Sequence, residues 1–444
     1  MHTTLTGEEQ PLPSVKTDVS YGLVTMGSTT IWAVLSGWVL YFYLPPSGEG
    51  IALVPAALLS AAMLINRVID ALIDPPIGYL SDHTHSRWGR RLPFMAVAAL
   101  PMLVFFVLLW TPPVPGESIW NLIYLAIVLE LYNIAYSFLQ IPYGALLPEL
   151  ALTDRHRVRL SSWRAGLETV AMILGAFVGV VIDKLGYLRM ALVYAVAMLP
   201  CFYLPLLVLR ERPGRQIARA ERLGFRESFS IAFRNRPFQI YTATWAFYWG
   251  TMTLIPTAIP FITTEICRLT KADTVYFYAA TVLVSVICYP VVSWLAKRLG
   301  KWRVFTGSLL ASALVLLGLL LIGEWLPVPL MVQGIAWAVL LAVALSGAMV
   351  LSSVLAAEVT DYDERVTGQR REGMYYATWG LLDNVVSGAA TALVPLLLLL
   401  GRSQSDPHGP LGVRLIGAVG GAMMLLAFLV FLRYPLRQGL GQEA

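Results

Sequence analysis

Twelve apolar runs, each parted from the next by a short polar turn, follow one another along the 444 residues of this chain. Their approximate bounds are 20–44, 51–80, 92–112, 119–148, 160–182, 187–209, 238–264, 274–297, 303–323, 328–358, 372–400 and 411–432. A helix of about 20 apolar residues crosses a hydrocarbon core about 30 Å thick, and every run reaches that length. Several exceed it, which predicts tilt or extension beyond the bilayer. In lipid a continuous apolar run satisfies its own backbone only as a helix, and the alternating pattern of barrel strands is absent. Composition agrees: 57% of residues are hydrophobic and 13% charged, against about 25% charged in soluble domains. The expected class is an all-α membrane protein. The polar first eighteen residues, with Glu8, Glu9 and Asp18, do not read as a cleavable signal peptide.

Basic residues orient the spans. Alternate loops hold Arg87, Arg90 and Arg91; Arg155, Arg157 and Arg159; Lys297, Arg298, Lys301 and Arg303; and Arg365, Arg370 and Arg371. The stretch from Arg210 to Arg236 adds more arginines on the same side, whereas the opposite loops hold only Lys184, Arg189, Arg268, Lys271, Arg402 and Arg414. The positive-inside rule then places both termini in the cytoplasm, with the chain in a plasma (bacterial inner) membrane. The net charge of +5 belongs to this topology; a nucleic-acid partner is not expected, and lipid is the expected surrounding.

The two halves echo each other. Gly78–Asp82 and Arg87–Arg91 follow the second span; Trp294–Arg298 and Leu299–Arg303 follow the eighth. Pro148-Glu149 and Thr153-Asp154 follow the fourth; Ala357-Glu358 and Thr360-Asp361 follow the tenth. The expected organisation is residues 1–209, a basic linker 210–236 that suits a helix on the inner leaflet through Phe225, Phe229 and Phe233, and residues 237–444. Six spans per repeat keep both repeats facing the same way, the parallel pseudo-symmetry of the major facilitator fold, in which two halves rock about a central site.

Enzyme chemistry finds no support, since no nucleophile–base pair, metal cluster or phosphate loop appears. No cofactor or bound metal is expected. Cys201, Cys267 and Cys288 lie far apart and read as small core hydrophobes. His2, His83, His85, His156 and His408 all fall outside the apolar runs, so no buried imidazole relay is expected.

Charge inside the spans carries the functional signal. Arg67, Asp70 and Asp74 are spaced three and four apart, one stripe on one helix face. An acid at the bilayer centre costs about 2.5–3.5 kcal/mol on insertion scales. Two of them a turn apart repel, and that favours a bound proton or a cation between them. An Arg67–Asp70 salt bridge explains one acid and leaves the other. Pro75 and Pro76 cannot donate to the carbonyls of Ala71 and Leu72, which predicts a broken helix with free oxygens beside the acids.

The run Arg67-Val-Ile-Asp-Ala-Leu-Ile-Asp-Pro-Pro-Ile-Gly78, then Ser86–Pro93, resembles the glycoside–pentoside–hexuronide:cation symporters. Gln140-Ile-Pro-Tyr-Gly-Ala-Leu-Leu-Pro148 and Thr367–Gly373 agree, so the resemblance spans both halves. It implies cation-coupled symport of a glycoside or related polar solute by alternating access. It assigns the cation to Asp70 and Asp74, and the solute to a pocket beside them that includes Arg164. Ser137 and Gln140 are expected as further cation ligands. Thr29, Arg67, Gln140, Arg164, Tyr376, Trp379, Asp383 and Asn384 are the expected solute contacts, with Trp245, Tyr248 and Trp249 as weaker candidates. Arg164 and Glu168 are placed for an i,i+4 pair, and Glu130, Asn133, Ser137 and Gln140 share one face of the fourth span. Asp82, Arg90, Arg91, Glu149 and Glu358 are expected to gate the cytoplasmic side by pairing across the halves.

Departures from the family pattern bear on the substrate. Ile73 stands where the pattern has an asparagine, Gln140 where it has an acid, Asn384 where it has a lysine, Ser28-Thr29 where it has Lys-Asp, and Gly144 where it has tryptophan. Melibiose is therefore not the expected solute. Because Ile73 offers no oxygen and a proton needs only one acid, the expected coupling ion is H⁺, with Na⁺ the alternative. A lysophospholipid symporter, or a non-transporting assembly or sensor protein that kept the fold, are the other readings. The chain is expected to act as a monomer.

Overall fold

The computed structural model describes residues 14–46, 49–84, 86–150, 153–211, 235–323, 325–367, 372–400 and 411–435, all but a few of them with side chains. The expected linker therefore lies mostly outside the described residues, as do its three phenylalanines and most of the Thr367–Gly373 motif. The helices are α1 (Val15–Tyr43), α2 (Ala56–His83), α3 (Leu92–Leu108), α4 (Ile119–Leu150), α5 (Asp154–Ala176), α6 (Tyr187–Val208), α7 (Arg236–Phe261), α8 (Thr274–Leu299), α9 (Lys301–Leu317), α10 (Leu330–Thr367), α11 (Glu372–Leu398) and α12 (Leu411–Phe431). Past Phe177 a short helix, Val178–Leu185, continues α5. Among the described residues there is no strand.

Local chemistry sets the ends. Ser14, Thr153 and Asn235 each accept a backbone N–H at the start of α1, α5 and α7, which satisfies a donor with no helical partner. Single glycines, Gly186 and Gly300, turn the chain into α6 and into α9 at φ of 77° and 88°, a backbone that only glycine adopts without strain. Pro75 and Pro76 lie within a continuous α2. The helix is not broken there, contrary to expectation.

Among the described residues, ten helical stretches are long and apolar enough to span a membrane. The other two depart for physical reasons. α3 has 17 residues, shorter than its apolar run, because the chain turns at Leu109 and Trp110. α7 has 26 but carries threonines, tyrosines and tryptophans along its length. It is also enclosed: α1, α8, α10, α11 and α12 all pack on it, so little of it needs to face lipid.

Packing repeats with a shift of six helices. In one half α1 packs on α5 and α6, α4 on α2 and α3, and α3 on α6; in the other α7 packs on α11 and α12, α10 on α8 and α9, and α9 on α12. The halves meet where α1 lies on α7, α2 on α11 and α5 on α8. This is the all-α, two-half pseudo-symmetric architecture expected from the sequence.

Asn121 ties the loops at one end together. Its Nδ2 donates to the carbonyls of Leu53, Val114 and Gly116, and its Oδ1 accepts from the N–H of Val114. The residue is fully buried. Asn121→Ala leaves these groups unpaired, and the expected loss is about 2–4 kcal/mol, read as a fall in melting temperature of the purified protein.

Candidate functional site

The seam between α2 and α4 holds the intramembrane acids. Asn133 Nδ2 donates to Asp70 Oδ2 at 3.2 Å and Ser137 Oγ donates to Asp74 Oδ1 at 2.7 Å. Both pairs are 63 residues apart in sequence. Two parallel helices in constant register meet this way, turn after turn. The same offset sets Gly78 against Ile141, whose Cγ2 would be 3.7 Å from a Cβ added to the glycine. It also sets Arg67 level with Glu130, and Gln140 level with Ile77.

That register separates two candidates on α4. Gln140 was expected on the cation, but it sits a turn beyond Asp74, beside the hydroxyl of Tyr136. Among the described residues it makes no hydrogen bond to either aspartate. Asn133 is the residue that meets Asp70. It stood on the correct face of α4, but helix periodicity alone does not say which level of the face meets the acids.

Negative charge exceeds positive charge here. Arg67 Nη1 lies 3.7 Å from Asp70 Oδ2, and the same guanidinium acts on Glu130 and Asp383. Both carboxylate oxygens of Glu130, and Oδ1 of Asp383, are buried without a hydrogen-bond partner among the described residues. The stem of Arg67 packs on α11 at Gly388, where a Cβ would come within 2.7 Å of its Cγ. Arg67 thus stands between Asp70 in its own half and Asp383 in the other. Such a set can hold a proton or a cation, since four acids near one arginine cannot all be charged away from water.

The remaining expected solute contacts divide. Arg164 and Glu168 do not form their i,i+4 ion pair; both lie within electrostatic reach of Tyr136, and Arg164 also of Tyr21 and Tyr143. Trp379 is committed to packing. It is 6% exposed, its indole N–H donates to Thr242 at 2.8 Å, and its ring lies among Phe238, Tyr241 and Tyr375. Thr29 and Asn384 are half-buried. The side chain of Tyr376 lies outside the described residues.

Contacts across the halves gather at the end opposite the termini. Glu49 pairs with Lys271 at 3.0 Å, and the Tyr41 hydroxyl donates to Glu49 at 2.7 Å and lies 3.0 Å from Thr264 Oγ1. The Lys271 ammonium also sits over the rings of Tyr41 and Tyr187. Thr257 donates to the Ser36 carbonyl at 2.9 Å. Gly179 admits the Lys271 segment: a Cβ there would lie 2.1 Å from the Lys271 carbonyl oxygen.

At the end that carries the termini, the charged groups pair within each half. Arg90 bonds Glu149, Arg91 lies 3.2 Å from the same carboxylate, and Lys301 bonds Glu358 in the other half. Each of these three described pairs lies within one half. α2 packs on α4, so the last turn of α4 lies over the α2–α3 loop of its own half. The Asp82 and Asp154 side chains lie outside the described residues. Glu211 accepts the backbone N–H groups of Arg90, Arg91 and Leu92 at 2.6–2.7 Å, capping α3. A buried imidazole is also found here, against expectation: His156, in the first turn of α5, is 1% exposed and lies 2.8 Å from Asp18, which Arg159 meets at 2.5 Å.

Over residues 20–438 the chain matches the family described as MFS/sugar transport protein. The chain belongs to that family. The isoprimeverose transporter of Lactiplantibacillus pentosus is 27% identical to it over 396 residues, 84% of this chain and 78% of that one. The glucuronide carrier protein homolog of Escherichia coli (strain K12) is 25% identical over 439 residues, 95% and 93% of the two chains. The crystal structure of the nucleoside transporter NupG superimposes with a TM-score of 0.67 at 13% identity, over 94% of this chain and 98% of that one, a likeness of fold. Further relatives are named as symporters, and symport requires a coupling cation. This MFS/sugar transport protein is therefore a multi-pass membrane carrier and not an enzyme.

Proposed function

We propose that this transporter carries a glycoside or related polar organic solute together with a proton, by alternating access between residues 1–209 and 237–444. One observation carries the reading: Asp70 and Asp74 are held in register by donors from α4, beside a Glu130 with no hydrogen-bond partner among the described residues, and Arg67 acts on both Asp70 and Glu130. Asn133 and Ser137 act as donors toward the carboxylates and keep them hydrogen-bonded when the coupling ion has left. Sodium asks for about six oxygens. Ile73 offers none, and Gln140 is a turn away. Arg164, close to three tyrosines and without an acid partner within bonding distance, is a fitting anchor for solute oxygens.

The proposed setting is a plasma (bacterial inner) membrane with both termini in the cytoplasm and the protein acting as a monomer. In that orientation Glu49, Lys271 and Tyr41 close the outer side, and the inner side is the one that opens. Arg90, Arg91, Glu149, Lys301 and Glu358 would gate that side by pairing across the halves when it shuts.

The test uses proteoliposomes and a solute found by thermal-shift screening of glycosides and uronides. A pH gradient without sodium is expected to drive accumulation, and Ile73→Asn, which returns an amide oxygen beside the acids, is expected to raise the response to sodium. Full uptake by the parent protein on a sodium gradient alone, at fixed pH, would show the proton reading to be wrong.

A further inference from the structure

α7 carries a row of rings that neither the acids nor Arg164 account for. Tyr241, Trp245 and Trp249 follow at intervals of four residues. The first two rings are 6.2 Å apart at 26° and the second two 5.3 Å apart at 11°. Tyr248 flanks them, 6.4 Å from Trp249 at 46°. The three rings therefore form a near-parallel ladder along the helix, and Trp249 is its last rung.

The direction of this ladder follows from its neighbours. Residues on a helix are 100° apart. The Tyr241 hydroxyl donates to the Ser352 carbonyl of α10, while Thr242 and Thr253 meet Trp379 and Ser387 of α11. Thr251 reaches Gly420 of α12, and Thr257 reaches Ser36 of α1. Trp245 and Trp249 fall in the sector between the α10 and α11 directions. Both are half-buried on a helix that five others enclose. Their exposed part thus faces the interior between the halves.

Two further observations distinguish these rings from packing. Trp379 is buried and gives its indole N–H to Thr242; Trp245 and Trp249 keep surface, and neither indole N–H is bonded to another described residue. The ladder also continues toward the solute anchor. Tyr248 lies within electrostatic reach of Tyr289 on α8, Tyr289 of Glu168 on α5, and Glu168, like Arg164, of Tyr136 on α4. A chain of neighbours so runs from the tryptophans in one half to the arginine in the other.

We propose that Trp249, backed by Trp245, is an aglycone subsite: a flat ring on the solute stacks on the open face of Trp249 while the sugar lies toward Arg164. The solute class is then a glycoside with an aromatic or second ring aglycone, in preference to a free monosaccharide. Stacked rings attract through complementary charge distributions and through the area they bury, and an indole N–H adds a donor for a ring oxygen. This inference rests on the glycoside reading above and narrows it.

The test compares methyl with 4-nitrophenyl glycosides of glucose, galactose, xylose and glucuronic acid, by affinity for the purified protein. In the parent, one sugar at least is expected to bind about tenfold tighter as its nitrophenyl glycoside. Trp249→Ala should bring that ratio near one, with the nitrophenyl glycoside losing more affinity than the methyl glycoside, while Trp249→Phe keeps most of the preference. Should Trp249→Ala fail to purify, Trp249→Leu makes the same comparison. A parent ratio near one, or a ratio that survives loss of the Trp249 ring, overturns the subsite and leaves the glycoside reading standing. If no glycoside of either kind binds, the glycoside reading itself fails and the subsite falls with it.

Discussion

Asp74→Asn is expected to abolish uphill accumulation of solute in proteoliposomes while leaving exchange of solute across the membrane in place. Asparagine has the shape of aspartate, and its amide oxygen still accepts from Ser137, which now donates to the carboxylate at 2.7 Å. Packing on α4 should therefore persist, with a melting temperature within a few degrees of the parent. What disappears is the negative charge that a coupling ion would meet, so solute flows only down its own gradient. Asp70→Asn is a different lesion, because Arg67 lies 3.7 Å from Asp70 and would lose its nearest counter-charge. Accumulation by Asp74→Asn at the parent level would remove Asp74 from the coupling step.

Gly179→Val should act at the other end of the cycle and nearly as strongly. A Cβ at this position would lie 2.1 Å from the Lys271 carbonyl oxygen, 2.2 Å from Thr274 Oγ1 and 3.0 Å from a ring carbon of Trp38. Two of these are far inside contact distance and one is backbone, so the Lys271 segment must move away and take its pair with Glu49 with it. The expected result is a protein held open on the side that Glu49 and Lys271 close, here called the latch, with net uptake reduced at least about tenfold. A cysteine introduced as Ser36→Cys, beneath the Thr257 contact, should react faster with an impermeant maleimide in the Gly179→Val background. Of the native thiols, Cys201 and Cys267 are buried, burial pushes the Cys267 thiol up to about 12, and the half-buried Cys288 is replaced by alanine in both backgrounds. Lys271→Ala, which removes one charge and no volume from Gly179, should shift the balance less. Unchanged labelling in Gly179→Val would show that the latch does not control opening.

Most of the fold could be read in the sequence because lipid allows few alternatives. Runs of apolar residues must be helices, and α4, α6, α8, α11 and α12 end within about two residues of where hydropathy places them. The acids of α2 were equally legible, since charge in a span is rare and its spacing fixes a face. What periodicity does not contain is the register between helices. Glu130, Asn133, Ser137 and Gln140 share a face of α4, but only the 63-residue offset shows that Asn133 and Ser137 meet the acids while Gln140 passes them. Trp379 and Trp249 look alike in sequence; their neighbours decide that one packs against Thr242 and the other keeps an open face. His156 misled for a similar reason, because a loop-like sequence became the buried first turn of α5 against Asp18.

Glu211 has a consequence for how the chain could be divided. Its carboxylate is bound by three backbone N–H groups at the start of α3, on the loop whose arginines hold Glu149. The residue therefore belongs structurally to the first six helices, although in sequence it lies past the end of α6. A gene cut before codon 211 would leave α3 uncapped in one fragment and hand its cap to the other. A cut between 212 and 234 would keep this cap with α3, and the described polar pairs it parts are those across the halves, such as Glu49 with Lys271 and Thr257 with Ser36. Co-expressed halves divided there are the ones physically equipped to find each other along α1–α7, α2–α11 and α5–α8.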